Sequence, residues 1–326
     1  MSKLSDLPPE VFKNIWFVGS GGGSKGPYTV GVLKYVYTVL GLDIAGFGGT
    51  SIGGTIALHQ VQYKNKDKLQ GYQDLEDLFL GLKTSDVWKH WFLFRELAGL
   101  WKRGLVNSSP YTQLIKGILD VQKVMDSDRD VRITAVNLTT KKVEVFDKTF
   151  VPLWQPAAAT AAIPMFFGPV RMRNHWWVDG GVRVVTPLKA AIKAGASMVI
   201  ASVLTPKGHI GEFDPDSNAL EIGMRSIDAM FDAVVEKDVA QAQQYNIAIT
   251  LKELLVEKGL SEKVIQKRLE DRGLPYNLEG KRYIPIFMVR PDSPLLPDSR
   301  EFKPEQAREI HIRGFGDAGE TFEFAS

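Results

Sequence analysis

Twice before residue 63 a short apolar run ends in glycine and gives way to a helix, and this repeat limits the fold more than any other feature of the chain. Ile15-Trp16-Phe17-Val18 runs into Gly19-Ser20-Gly21-Gly22-Gly23, and the segment from Ile44 to Gly48 runs into Gly49-Thr50-Ser51. Short apolar runs bounded by glycines read as buried strands that leave a sheet at tight turns. Between them, Val30, Val32, Leu33, Val36, Val39 and Leu40 recur near helical spacing from Tyr28 to Leu40, and Gly41 supplies a stop signal. A small-residue helix follows from Ile52 to about Gln62. Strand-turn-helix repeated in this way requires parallel strands, because each helix carries the chain back to the same end of the sheet. The expected class is α/β with a mostly parallel central sheet.

Residues 63–125 interrupt the alternation with helical sequence containing Trp88, Trp91, Phe92, Phe94 and Trp101, expected to form a helical cap insertion. Lys89, Arg95, Lys102 and Arg103 lie among these aromatics, a pattern that suits either a packed cap or a face that docks on lipid. The sheet pattern then resumes with strands over Val131 to Val136, Lys142 to Phe146 and Trp176 to Val178, and a helix from Ala157 stopped near Pro164. Pro187 to Ala194 reads as a helix and Met198 to Val203 as a buried strand. Beyond a Gly-, Pro- and Asp-rich loop from Thr205 to Asn218, helices are predicted over roughly 219–246 and 250–272. A strand from Tyr283 to Val289 and a short helix from Pro304 to Arg313 come last.

A chain of 326 residues has room for one large α/β domain with insertions or for two smaller domains, and its 44% hydrophobic and 24% charged residues are those of a folded globular protein. The absence of cysteine excludes disulfides, thiolate metal sites and a cysteine nucleophile. A net charge of +2 gives no argument for nucleic acid as a partner. The first ten residues lack a signal-peptide core and no apolar run reaches membrane-spanning length, so a cytoplasmic location is expected, with peripheral membrane contact or a signal-less route of secretion left open. His59, His90, His175 and His209 are scattered without metal-ligand spacing, and no calcium loop is visible, so neither a metal nor a cofactor is expected.

Three segments carry chemistry. Gly49-Thr50-Ser51-Ile52-Gly53 is a G-x-S-x-G string at a strand-to-helix turn, where a serine projects as a nucleophile only if Gly49 and Gly53 leave it room. The helix N-terminus behind Ser51 favours the negative charge that develops during attack. Gly21-Gly22-Gly23-Ser24-Lys25-Gly26 lies between the first strand and the first helix, where successive backbone N–H groups converge on an anion. This segment also satisfies G-x-G-x-x-G, but Asp43 precedes the second strand instead of ending it, against a dinucleotide fold. The third segment, Asp179-Gly180-Gly181, follows an apolar strand and sets a carboxylate at the sheet edge. Such a carboxylate serves as a base if desolvation raises its pKa from the usual value of about 4. Two rivals stay open on residues alone. One is a triad of Ser51, Asp179 and His311 in α/β-hydrolase order, although a lone histidine in a Pro304-to-Arg313 helix is expected at the surface. The other is a non-catalytic anion- or nucleotide-binding module in which Ser51 merely caps its helix.

The three segments, in this order and spacing, resemble those of the patatin-like phospholipases. Ala162-Ile163-Pro164 and Phe167-Gly168-Pro169 resemble the bend before the family's aspartate, and Val182 to Pro187 the segment after it. The resemblance implies a three-layer α/β/α fold with a catalytic core over residues 13–205, and residues 206–326 completing the same domain. It implies a Ser51–Asp179 dyad that hydrolyses phospholipid or other acyl-ester lipid, with Gly22, Gly23 and the Ser24 N–H holding the oxyanion. Gly21, Gly26, Gly180 and Gly181 complete the motifs. Two positions depart from the pattern: Lys25 stands where the family usually has arginine, and Thr186 where asparagine is common.

Overall fold

The computed structural model describes residues 4–91, 103–208, 218–296 and 298–323. Its strands are β1 (Ile15–Gly19), β2 (Gly46–Gly49), β3 (Asp130–Asn137), β4 (Val143–Phe146), β5 (Val170–Met172), β6 (His175–Asp179), β7 (Met198–Ser202) and β8 (Ile286–Val289). They form one sheet in the order β5-β6-β3-β2-β1-β7-β8, with β4 paired to β3. The run β3-β2-β1-β7-β8 is parallel, and the β3–β4, β3–β6 and β5–β6 pairs are antiparallel.

The helices are α1 (Gly26–Thr38), α2 (Ile52–Gln60), α3 (Lys68–Gly81), α4 (Thr84–Val87), α5 (Ser109–Ile118), α6 (Val121–Asp126), α7 (Trp154–Thr160), α8 (Leu188–Lys193), α9 (Ala219–Glu257), α10 (Glu262–Asp271) and α11 (Pro304–Glu323). Strand β1 explains why its sequence is apolar without alternation. Ile15 and Phe17 enter the larger core cluster with α1, α2, α3 and α11, while Trp16 and Val18 enter a second cluster with Leu188 and Ala191 of α8 and Ala242 of α9. A strand covered on both faces has no polar side to show. The result is a three-layer α/β/α arrangement.

Within residues 63–125, α3 lies beside α1 and buries Tyr72, Leu75 and Phe79, and α5 buries Tyr111 and Ile115. Trp88 packs edge-on against Phe166, while Phe92, Phe94 and Trp101 lie outside the described residues. Two helical spans differ from the sequence expectation. Residues 219–257 form one helix of 39 residues, because neither glycine nor proline interrupts the chain near residue 248. The break comes at Gly259, which adopts φ +91°, after which Ser261 caps α10 by accepting the Val264 N–H. The last helix runs ten residues further than expected, from Pro304 to Glu323, and buries His311 in its middle. No described helix is long and apolar enough to cross a membrane.

Candidate active site

Sheet register brings the three motif segments together. Gly19 at the end of β1 pairs with Gly49 at the end of β2, so the glycine loop and the serine turn leave the sheet side by side. Gly49 pairs in turn with Ile133, and Ala135, two residues further along β3, pairs with Asp179. Ser51, two residues beyond Gly49, and Asp179 therefore reach the same level of the sheet. Carboxyl ends of parallel strands are where α/β sheets place their ligands.

Ser51 has φ 55° and ψ −126°, a conformation that side chains rarely adopt and that packing must hold in place. The glycines around it supply that packing. A Cβ on Gly53 would lie 2.2 Å from the Gly19 carbonyl oxygen, and one on Gly49 would lie 2.2 Å from the Gly53 carbonyl. Helix α2 thus rests directly on backbone. The Ser51 N–H donates to Thr160 Oγ1 of α7 at 2.8 Å. Thr50 donates its hydroxyl to the Val184 carbonyl at 3.0 Å and so accepts from Thr134 Oγ1 at 2.6 Å.

Asp179 is 1% exposed. Its Oδ1 accepts the Gly181 N–H at 2.7 Å, and Oδ2 has no hydrogen-bond partner among the described residues. Burial raises the carboxyl from 3.8 to about 7, with the Gly181 N–H and the Ser51 hydroxyl pulling the other way. The Ser51 hydroxyl is thus close enough to act on the carboxyl, although no hydrogen bond reaches Oδ2 among the described residues. Gly180 lies over Thr134, with no space for a side chain between them.

In the glycine loop, the Gly21 N–H donates to the Val185 carbonyl at 3.1 Å. The N–H groups of Gly22 and Gly23 have no acceptor among the described residues. The Ser24 N–H, expected to serve the oxyanion, is instead held by the Ser299 carbonyl at 2.7 Å. Ser299 lies so close that a Cβ on Gly23, which has φ +56°, would meet its oxygen at 2.1 Å. The strap that continues from Ser299 is fastened to both ends of α4. Trp88 Nε1 donates to the Arg300 carbonyl at 2.8 Å, and Thr84 and Phe302 exchange two bonds at 3.1 and 2.8 Å. Ser51 itself is 7% exposed and so is buried.

Lys25 is largely buried among Asp232, Asp228 and Asp298, and burial lowers its pKa against their opposing charge. Gly26 opens α1. His311 does not lie at the surface as expected: it is 5% exposed, with Nε2 3.2 Å from Glu76 Oε1 and 3.4 Å from the Tyr72 hydroxyl on α3. The reason is that α11 crosses α1 backbone to backbone at Gly31 and Gly314, which turns the histidine face inward. Helix α9 reaches the site with Phe231 against Gly181 and with Asp238 on the segment after Asp179. No local sequence pattern distinguishes Asp238 from other charges on that helix.

Comparison with known proteins bears on this geometry. The family described as patatin-like phospholipase matches residues 17–192, more than half of the chain. A cGAMP-activated phospholipase of Pseudomonas aeruginosa is 30% identical over 177 residues, which are 50% of this chain and 51% of that protein. A probable lipid hydrolase of Invertebrate iridescent virus 6 is 26% identical over 195 residues, 57% of this chain and 66% of its own. The matches thus span about half to two thirds of these relatives. VipD from Legionella pneumophila aligns with 95% of this chain and 67% of its own, at 12% identity and a TM-score of 0.45, a likeness too loose to bear on function.

Proposed function

The chain belongs to the patatin-like phospholipase family, and from that membership we propose that it is a lipid acyl hydrolase working through a Ser51–Asp179 dyad. The observation that carries the reading is Asp179: a buried carboxyl beside Ser51, with one unbonded oxygen and a pKa near 7. A base poised at that value takes a proton and returns it near neutrality without a histidine.

Ser51 Oγ attacks the ester carbonyl carbon and its proton passes to the Asp179 carboxylate. The carbonyl electrons move onto oxygen, where the Gly22 and Gly23 N–H groups receive the charge. As the tetrahedral centre collapses, the carbon–oxygen bond to the alcohol breaks and Asp179 returns the proton to that oxygen. Water then adds to the acyl-serine with Asp179 again as base, and fatty acid leaves. His311, turned to Glu76 and Tyr72, has no part in these steps. The substrate class is phospholipid or another fatty-acyl ester, in keeping with the names of the relatives. One relative is named for activation by cGAMP, and the burial of Ser51 suits an enzyme whose basal turnover rises when the site opens.

Mixed phospholipid vesicles are incubated with wild type, Ser51→Ala and Asp179→Asn, and the lipids are read by mass spectrometry alongside labelling by a fluorophosphonate. Free fatty acid and label with wild type only is the expected result. Label that persists in Ser51→Ala would defeat the assignment of the nucleophile, and a folded wild type without label would favour an anion-binding module.

A further inference from the structure

We propose that Asp238, on α9, is a positioning residue for this reaction; the inference rests on the Ser51–Asp179 reading and deepens it. Asp238 is 8% exposed, and its Oδ2 accepts two backbone N–H groups, from Val185 at 2.8 Å and from Thr186 at 3.1 Å. Those amides belong to the chain leaving Asp179. What matters is where the other ends of the same peptide groups go.

A peptide group is planar, so a hold on its N–H fixes the direction of its carbonyl. The group whose N–H is that of Val185 carries the Val184 carbonyl, which accepts the Thr50 hydroxyl at 3.0 Å. The group whose N–H is that of Thr186 carries the Val185 carbonyl, which accepts the Gly21 N–H at 3.1 Å. One carboxylate therefore sets two adjacent planes. One plane ends on the residue before the nucleophile, and the other on the residue before the two free N–H groups of the oxyanion loop. Asp238 joins all three motif segments without touching the substrate.

Turn bonds from Arg183 and Val184 to the Gly180 carbonyl, and from Leu188 to the Thr186 carbonyl, hold the flanks of the segment, and only Asp238 accepts the two N–H groups between them among the described residues. Thr186, at the position where the family commonly has asparagine, buries its hydroxyl with no hydrogen-bond partner among the described residues. Lys237 Nζ comes within 3.4 Å of Asp238 Oδ1, but its side chain is 56% exposed and it bonds the Arg183 carbonyl, so it does not replace the carboxylate oxygen that faces the two amides. Burial pushes the Asp238 carboxyl up, and the two N–H groups and Lys237 oppose that shift. Without the carboxylate, two buried N–H groups lose their acceptor and both planes are free to tilt. The acyl-serine geometry suffers while surfaces that bind the lipid do not.

The test compares Asp238→Asn and Asp238→Ala with wild type on a soluble fatty-acyl ester, measuring kcat, KM and melting temperature. Asp317→Asn serves as control, because Asp317 accepts the Tyr28 hydroxyl at 2.7 Å between α1 and α11, away from the site. A displacement of about 1 Å in a catalytic group costs on the order of 100-fold, so Asp238→Ala is expected to lower kcat about 100-fold with KM within about threefold. Asp238→Asn keeps an oxygen in the same place and is expected to recover kcat to within about tenfold of wild type. The control keeps wild-type kcat at a similar loss of melting temperature. If Asp238→Ala lowers kcat no more than the control does, or if Asn rescues nothing, the positioning role is overturned while the dyad stands. A wild type that turns over no ester and takes no fluorophosphonate overturns both.

Discussion

Asp179→Asn takes a charge away from a place that water does not reach. The wild-type carboxyl titrates near 7 in the folded protein against an ordinary value of 3.8. Between those two pH values the unfolded chain has released the proton and the folded chain still holds it, so the unfolded state binds fewer protons and stability falls as pH rises. The loss begins as pH passes the unfolded value and is complete above the folded one. A shift of roughly three units at about 1.4 kcal/mol each places it on the order of 4 kcal/mol. Asparagine keeps the oxygen that accepts the Gly181 N–H and carries no proton equilibrium, so the variant escapes the loss. Urea unfolding of both proteins from about pH 4 to pH 8 is the assay. The expected result is a gap that is small near pH 4, widens through neutrality in favour of Asp179→Asn, and levels off near pH 8, with no ester turnover by the variant throughout. Parallel stability curves would refute the reasoning, because they would mean that Asp179 titrates alike in the folded and unfolded states.

The same carboxyl governs catalysis in the opposite direction: a base must be ionised, so kcat/KM is expected to fall about tenfold per pH unit below about 7 and to level above it. A profile flat from about pH 5 to 8 would exclude Asp179 as the base. His311→Ala is expected to keep turnover within about twofold while losing about 1–3 kcal/mol of stability, since a buried side chain is removed far from the chemistry; a folded but inactive variant would restore the triad. Combining Trp88→Phe with Thr84→Val removes hydrogen bonds that fasten the Ser299 strap, each worth about 1 kcal/mol, so fluorophosphonate labelling of Ser51 is expected to accelerate at least about fivefold. Labelling at the wild-type rate would mean that the strap does not limit access.

How much of this was legible in the sequence depends on range. The glycine-bounded runs at β1 and β2 announced a parallel sheet because a strand covered on both faces must be apolar throughout and must leave at a turn that tolerates no side chain. Ser51, Gly53 and the glycine loop were legible for the same reason: their constraints are steric and act within a few residues. Helix ends were less so, since no glycine or proline lies near residue 248 and α11 is extended by its packing on α1 through Gly31 and Gly314. Tertiary structure alone decided what distant segments do to one another. His311 turned inward to Glu76, the Ser24 N–H went to Ser299, and Asp238 took hold of the chain beyond Asp179. The elevated pKa of Asp179 belongs to this second group, because desolvation is a property of everything that surrounds a side chain, and spacing along a sequence does not encode what will cover it.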